Sequence, residues 1–172
     1  MSRDVSLLKS GFRGKYLELL ARVKDMGHEL RPCYTLRDPF EQAILWRRSR
    51  STEQITKAIN ALNENGAVWL AQVLESVGPQ YGNEATQALP GQSWHQWGLA
   101  ADSFLLVNKE AVWDDEAPGY QVYAAEAKKL ELDAGYYWNY KDTCHVQDHT
   151  GRVLDEYSWK QIDDAMKQSF GM

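Results

Sequence analysis

Four residues with acid–base or metal-binding side chains lie in two short motifs of the sequence. His95 and Asp102 are seven positions apart with Gly98 between them, and Asp142 lies three positions before His145. Two imidazoles and one carboxylate are the ligand set of a catalytic zinc site, which keeps a fourth position for water. Such a site makes water more acidic and polarises a carbonyl group. A further carboxylate that is not a ligand can carry the proton from water to the leaving group, so these residue types indicate metal-assisted hydrolysis.

Hydrophobic spacing, capping patterns and turn residues predict the elements that position these motifs. Asp38-Pro39 is typical of a helix start, because aspartate caps a helix and proline suits its first position. Ser51 and Gln54 fit a capping box for a further helix. Short strands mix with helices without regular β-α-β alternation, which predicts an α+β fold. The predicted elements are helices at about 4–26, 39–48, 52–63, 68–77, 120–130 and 155–170, strands at 28–36 and 99–107, an aromatic-rich strand and turn over 136–146, and a loop over 78–92.

Length and composition are those of one ordinary globular domain, which we expect to span residues 1–172 as a monomer. The net charge of −5 gives no general basic surface for nucleic acid. No apolar run approaches the roughly 18 residues of a membrane span, so no stable membrane insertion is expected. The first residues lack the apolar core of a secretory signal, and the two cysteines are too few for a disulfide scaffold. We therefore expect a reduced protein in a cytoplasm.

The two motifs resemble the signature of the LAS/VanY-type zinc D,D- and L,D-peptidases. Its first part, Ser-x-His-x-x-Gly-x-Ala-x-Asp, is matched over residues 93–102, and its second part, Asp-x-x-His, over residues 142–145. The segment 35–42, Thr-Leu-Arg-Asp-Pro-Phe-Glu-Gln, is similar to the strand-to-helix segment Tyr-Arg-Ser-x-x-x-Gln of that group. The group includes D-alanyl-D-alanine carboxypeptidases and dipeptidases, phage L-alanyl-D-glutamate endolysins and the hedgehog signalling domain. The likeness covers residues 30–48 and 88–147, about half the chain.

The resemblance implies a role for each matched residue. It makes His95, Asp102 and His145 the ligands of one catalytic zinc ion, and Asp142 the general base and acid. It makes Arg37 the cation that stabilises the oxyanion, a task that suits a permanently charged side chain with several donors. It also implies a small antiparallel sheet that carries the zinc site, with helices packed around it as in hedgehog and the D,D-peptidases.

Further residues are candidates for support of the site or for contact with substrate. Ser93 and Gln42 lie at matched motif positions, where they could orient a ligand or the substrate. Trp94, Trp97 and Trp138 could line the cleft and stack on glycan or peptide, or they could pack in the core.

For several other residues the sequence favours a structural role. Arg47, Arg48 and Arg50 compete with Arg37 for the cationic role. His149 lies too far along a predicted strand end to share a metal ion with His145. We expect Cys144 to be a buried, unreactive thiol.

Two departures from the family pattern bear on the bond that is cleaved. A helical insertion at about 51–77 is absent from compact endolysins that resemble this chain. The run Trp-Gly-Gly-x-Trp that often precedes the final motif is replaced by Asp-Ala-Gly-Tyr-Tyr-Trp over residues 133–138. Both changes are expected near the substrate cleft rather than at the metal site.

The function that these observations predict is hydrolysis of the stem peptide of bacterial peptidoglycan. The run Pro-Gly-Gln-Ser-Trp-His over residues 90–95 resembles phage endolysins that cut the L-alanyl–D-glutamate bond. Such an enzyme would be made in the host cytoplasm and reach the periplasm and cell wall at lysis. One alternative is a D-alanyl-D-alanine carboxypeptidase or dipeptidase with the same zinc site. A second alternative is a zinc-containing wall-binding module without catalytic activity.

Overall fold

The protein contains several helices and a five-stranded antiparallel sheet in a computed structural model that describes residues 2–171. This architecture confirms the predicted α+β class with a small antiparallel sheet. The strands are β1 (Glu29–Tyr34), β2 (Ala100–Val107), β3 (Glu110–Val112), β4 (Asp133–Ala134) and β5 (His145–Gln147). The α-helices are α1 (Ser10–Asp25), α2 (Pro39–Arg47), α3 (Thr52–Glu64), α4 (Val68–Ser76), α5 (Pro118–Lys129), α6 (Val153–Glu156) and α7 (Trp159–Phe170).

The chain divides into two compact units. One unit comprises the residues up to Leu36 together with Trp97–Thr150, and the other comprises Arg37–Gln96 together with the residues from Gly151 onward. The first unit therefore holds the whole sheet with α1 and α5, and the second holds the other α-helices. Within residues 2–171, no helix combines the length and the apolar character needed to cross a membrane.

The sheet of the first unit is built around β2. Its strand order is β1-β2-β5-β4, and β3 pairs with β2 as well. Asp102 on β2 is the register partner of Tyr34 on β1 and of His145 on β5. The sheet therefore places Asp102, the last residue of the first motif, and His145, the last residue of the second motif, on adjacent strands.

Apolar faces of α1 and α5 form the core of the first unit with the sheet. On α1 the buried residues recur every three or four positions, as on one face of a helix. The hydroxyl groups in this core are satisfied, because Ser103 Oγ lies 2.7 Å from Tyr16 Oη and 3.1 Å from Tyr123 Oη. The core comprises Phe12, Tyr16, Leu19, Val23, Tyr120, Tyr123, Ala124, Ala127, Ala101, Leu105 and Val146 among others.

Capping interactions define the helices of the second unit. The predicted capping box of Ser51 and Gln54 begins α3, and Asp38 forms a capping box with Glu41 at the start of α2. No side chain of the preceding residue caps α4. Instead the buried carboxylate of Asp163 on α7 accepts hydrogen bonds from the backbone of Leu70 at 2.7 Å and Trp69 at 3.3 Å.

The structure differs from the predicted elements at both ends of the chain. The first helix was expected from residue 4, but Asp4 caps a short 3₁₀ helix at Val5–Leu7, and α1 begins only at Ser10. The backbone at Leu8 in between is extended, and Lys9 N donates to Gly98 O at 2.9 Å. The expected helix over 155–170 is two helices, since Ser158 and Gln161 form a capping box that starts α7 separately from α6.

The predicted strand and turn over 136–146 is mostly irregular. Residues Gly135–Tyr137 form a 3₁₀ helix, and strand structure is confined to β4 before it and β5 at the end of the segment. Strand β3 was not predicted at all. It forms a hairpin with β2 through Asn108 and Lys109, which both have positive φ as a two-residue type I′ turn requires.

Candidate metal centre and active site

Asp102 and His145 face each other across two hydrogen-bonded strands. Their Cα atoms are register partners between β2 and β5, a position at which side chains of antiparallel strands lie close together. His145 Nδ1 lies 2.9 Å from Asp102 Oδ1. Both side chains are buried, and the two central strands of the sheet hold this pair.

His95 lies on a short 3₁₀ helix, Trp94–Trp97, that precedes β2. Gly98 turns the chain from this helix into the strand with a φ of +68°, a conformation that favours glycine. A Cβ at this position would lie 3.3 Å from Leu7 O and from Lys9 N. The glycine of the motif therefore permits both the turn and the close approach of the N-terminal segment.

The structure brings together the three residues predicted as metal ligands. One potential ligand atom from each of His95, Asp102 and His145 lies within 4.8 Å of the other two, and all three residues are buried. Two ligands that each lie about 2.0 Å from a tetrahedral zinc ion are roughly 3.3 Å apart, so modest side-chain adjustments would close the group around an ion. The donor set and its spacing fit the expected metal.

The charges around His145 favour its interaction with a cation. Burial acts to lower the pKa of His145, but the hydrogen bond to Asp102 and the negative charges of Asp102 and Asp142 outweigh it and raise that pKa. The same carboxylates that stabilise an added proton would stabilise a metal ion in its place. Asp142 thus acts electrostatically on the site.

Asp142 lies at the end of the irregular segment that leads into β5. Its backbone N–H donates to Gly135 O at 2.9 Å, and its carbonyl accepts from His145 N at 3.3 Å. Its Oδ1 accepts a hydrogen bond from Cys144 Sγ at 3.2 Å. These contacts hold the backbone of the predicted proton carrier on both sides.

Arg37 lies in the second unit, where its surroundings are polar and closely connected to the segment of His95. Its backbone N–H donates to His95 O at 3.3 Å. Its Nη1 donates to Gln42 Oε1 at 2.9 Å, and Gln42 Nε2 donates in turn to Ala88 O at 2.7 Å. Gln42 is completely buried, so it links the guanidinium group to the loop that precedes the first motif.

Two of the competing arginines serve the structure of the second unit. Arg47 Nη1 donates to Leu74 O at 2.8 Å. Arg50 forms an ion pair with Glu84 at 2.9 Å and stacks over the ring of Trp46 at 5.1 Å. These contacts fasten α4 and the loop over 78–92, which gives Arg47 and Arg50 structural roles.

The other candidate residues occupy different environments. Trp94 is only 4% exposed and its indole donates to Gly151 O at 3.0 Å, so it belongs to the core. Trp138 is half-buried, with its ring centroid 5.1 Å from that of His145. Trp97 and Ser93 are half-buried as well, and Ser93 O accepts from Gln96 N at 2.9 Å.

Neither of the remaining histidines belongs to the metal-binding group within the described part of the chain. His149 instead offers its backbone carbonyl to Gln147 at 2.8 Å. Cys144 is half-buried, and its burial together with the charges of Asp102 and Asp142 raises the pKa of the thiol. The neutral thiol is therefore favoured at Cys144, although the side chain is half-buried and not buried as predicted.

Comparison with known proteins places this chain in a family. Residues 6–160 match the VanY family, which is described as D-alanyl-D-alanine carboxypeptidase. The chain belongs to the VanY family. No curated protein matches the chain significantly. Family membership agrees with the recognised signature, and the matched region includes all the motifs.

Three residues near the site of this VanY-family chain were not identified from the sequence. Gln147 and Asp133 form hydrogen bonds beside His145, at 3.0 Å from Gln147 Oε1 to His145 Nε2 and at 3.2 Å from Gln147 Nε2 to Asp133 Oδ2. Gly135 lies against the backbone of Asp142. The sequence did offer one indication for Gln147: it lies two residues after the predicted ligand His145 at a predicted strand end, and alternate residues of a strand share one face.

Proposed function

We propose that this VanY-family chain is a zinc-dependent peptidase that cleaves the stem peptide of bacterial peptidoglycan. The observation that carries the proposal is the buried group of His95, Asp102 and His145, whose potential ligand atoms lie within 4.8 Å of one another. These three residues would hold the zinc ion. The chemistry supplied by a bound zinc ion is Lewis acidity, which polarises a carbonyl and makes water more acidic.

Asp142 is the residue that we propose to move the proton. Its carboxylate takes a proton from the attacking water and then gives it to the departing amine. The half-buried position and the electrostatic effect of Asp142 on His145 support this role. A carboxylate next to the metal ligands but outside the group of three fits a proton carrier better than a ligand.

Arg37 is the residue that we propose to stabilise the negative charge that develops on the carbonyl oxygen. A guanidinium group keeps its charge and presents several donors to an oxyanion. Its hydrogen bond to the buried Gln42 amide restricts its side chain, and its backbone contact with His95 ties it to a ligand segment. Both contacts favour a fixed orientation, which a charge-stabilising group requires.

The finer part of the proposal concerns the bond that is cleaved. We propose the L-alanyl–D-glutamate bond and a phage endolysin that acts on the host wall at lysis, because residues 90–95 resemble that group. The description of the VanY family favours a second candidate, a D-alanyl-D-alanine carboxypeptidase. An exopeptidase needs a group that binds the free terminal carboxylate of its substrate, whereas an endopeptidase does not.

Mass spectrometry of digested Gram-negative peptidoglycan separates the candidates. The zinc-loaded protein is incubated with purified wall and with a D-alanyl-D-alanine peptide, with and without a chelator. New N-terminal D-glutamate that disappears with chelator and returns with zinc supports the endolysin. Release of terminal D-alanine alone supports the carboxypeptidase, and no cleavage of either substrate favours a wall-binding module.

A pair of histidine variants gives the matched control for the metal site. We expect His145→Ala to lose both bound zinc and activity, because it removes a ligand. His149→Ala, four residues away, should keep both, because His149 lies outside the metal-binding group. A zinc-replete and active His145→Ala variant would contradict the ligand assignment.

A further inference from the structure

Within the first unit, a series of hydrogen bonds begins at His145 Nε2, the ring nitrogen that does not face Asp102. His145 Nε2 lies 3.0 Å from Gln147 Oε1, and Gln147 Nε2 donates to Asp133 Oδ2 at 3.2 Å. Trp138 Nε1 donates to the other oxygen of Asp133 at 3.0 Å. None of these three residues belongs to the metal-binding group within the described chain. The hydrogen bonds therefore connect to the metal-binding group at His145.

The surroundings of the Gln147 amide determine which end faces His145. The nitrogen end lies near two groups that can only accept hydrogen bonds, the Asp133 carboxylate at 3.2 Å and His149 O at 2.8 Å. A flipped amide would place its oxygen against both acceptors and lose two hydrogen bonds inside a buried site, which is costly. The oxygen of Gln147 consequently points to His145 Nε2.

An amide oxygen is an acceptor, so the ring nitrogen that faces it must carry a proton. When Nε2 of a neutral imidazole is protonated, Nδ1 has the free electron pair that a metal ion needs. Nδ1 is the nitrogen that faces Asp102, at 2.9 Å from its Oδ1. Without a metal ion a proton on Nδ1 is donated to that carboxylate, and a bound metal ion would take the place of this proton. The hydrogen bond to Gln147 therefore keeps a proton on Nε2, and Nδ1 beside Asp102 is the nitrogen available to a metal ion.

We propose that Gln147 is a positioning residue that holds His145 in the tautomer whose Nδ1 binds the metal ion. Asp133 orients the Gln147 amide, and Trp138 holds Asp133 by a hydrogen bond to its other oxygen. Trp138 also packs its ring against the imidazole, with the centroids 5.1 Å apart. The inference rests on the metal site of the proposed function, but it concerns which atom binds the ion and what fixes that choice.

The matched test is a set of glutamine variants and their affinity for zinc, measured by competition with a chromophoric chelator. Gln147→Leu removes the acceptor at similar size, and we expect zinc affinity to fall about 10- to 100-fold, as for other groups that orient a metal-binding histidine. Gln121→Leu makes the same chemical change at an exposed position of α5 and should leave the affinity unchanged. Equal affinities of wild type and Gln147→Leu would overturn the proposal.

A rescue variant distinguishes loss of the acceptor from general damage. In Gln147→Glu the new side chain keeps an acceptor oxygen for His145 Nε2 but loses the donor to Asp133. We expect this variant to bind zinc within several-fold of wild type. If Gln147→Glu loses as much affinity as Gln147→Leu, the acceptor is not the decisive feature and the proposal is wrong.

NMR of the wild-type protein tests the tautomer directly and needs no variant. Long-range ¹H–¹⁵N correlation of the zinc-loaded, ¹⁵N-labelled protein should show the metal on Nδ1 of His145 and a proton on Nε2. Metal on Nε2 would overturn the inference while leaving the proposed metal site intact. A wild-type protein that binds no zinc would overturn that site and the inference with it.

Discussion

Gly135 and Asp142 are in direct backbone contact: Gly135 O accepts the Asp142 N–H at 2.9 Å, and a Cβ added to Gly135 would lie 2.4 Å from Asp142 O. No real Cβ comes so close to a backbone atom, so any side chain at residue 135 must displace the Asp142 segment. The absence of a side chain at one residue therefore sets the position of the proposed proton carrier at another.

Gly135→Ala should consequently impair turnover more than it impairs folding. We expect kcat to fall at least about 10-fold, because displacement of a catalytic group by about 1 Å is costly, while zinc content stays near wild type. Steady-state kinetics and metal analysis check this. Gly14→Ala on the exposed face of α1, where a Cβ would meet nothing within 4 Å, should be neutral. Unchanged kcat in Gly135→Ala would mean that the position of Asp142 is not critical.

Asp142→Asn tests the carboxylate itself with almost no change in shape. The amide cannot take a proton from water, so we expect kcat to fall about 10²- to 10⁴-fold. Zinc content should persist, because Asp142 lies outside the group of potential ligands. Asp164→Asn, a surface aspartate paired with Lys160, serves as the control. Loss of zinc from Asp142→Asn would make Asp142 a ligand instead of a proton carrier.

Local signals allowed much of this fold to be predicted. The caps at Asp38 and Ser51 involve residues only three positions apart, and the ligand motif needs one glycine to turn into β2. Such features depend on neighbouring residues and are visible in a sequence. The Ser158 cap was equally local, but the continuous polar and apolar pattern around it suggested one helix.

Features that depend on distant contacts could not be predicted in the same way. Asp163 caps α4 from 93 positions away, and no sequence rule pairs those two segments. Gln147 gains its role only because Asp133 lies on a neighbouring strand and orients its amide. The burial of Trp94 likewise follows from tertiary packing, which is why the sequence left its role open between core and cleft.

Arginine variants separate charge stabilisation from structural support. Arg37→Lys keeps a positive charge but loses the planar donor group, and its shorter reach weakens the contact with Gln42. We expect kcat to fall about 10²-fold or more, as when a donor to an oxyanion is removed, with zinc content unchanged. Arg50→Lys should lower the unfolding temperature instead, because Arg50 binds Glu84 and the loop at Thr86. Loss of kcat in Arg50→Lys, with only a lower unfolding temperature in Arg37→Lys, would favour Arg50 as the catalytic cation.

The buried thiol of Cys33 should make the stability of the protein depend on alkaline pH. Burial, the largest cause, together with the charge of Asp102 raises its pKa to about 12, whereas a cysteine in an unfolded chain has a pKa of about 8.5. Between these values the folded protein keeps a proton that the unfolded chain releases. The contribution to stability is therefore fully present below about pH 8.5 and is lost as the pH rises towards 12.

Urea denaturation of wild type and Cys33→Ala at pH 7.5 and pH 10 measures this effect. Both proteins lose stability at pH 10 through other groups, Cys144 included, but wild type should lose about 1–2 kcal/mol more, since only its unfolded state gains the Cys33 thiolate. Comparison of the two pH differences cancels the packing loss that the substitution causes at either pH. Equal pH differences in the two proteins would show that the Cys33 thiol titrates alike in the folded and unfolded states, contrary to its buried position.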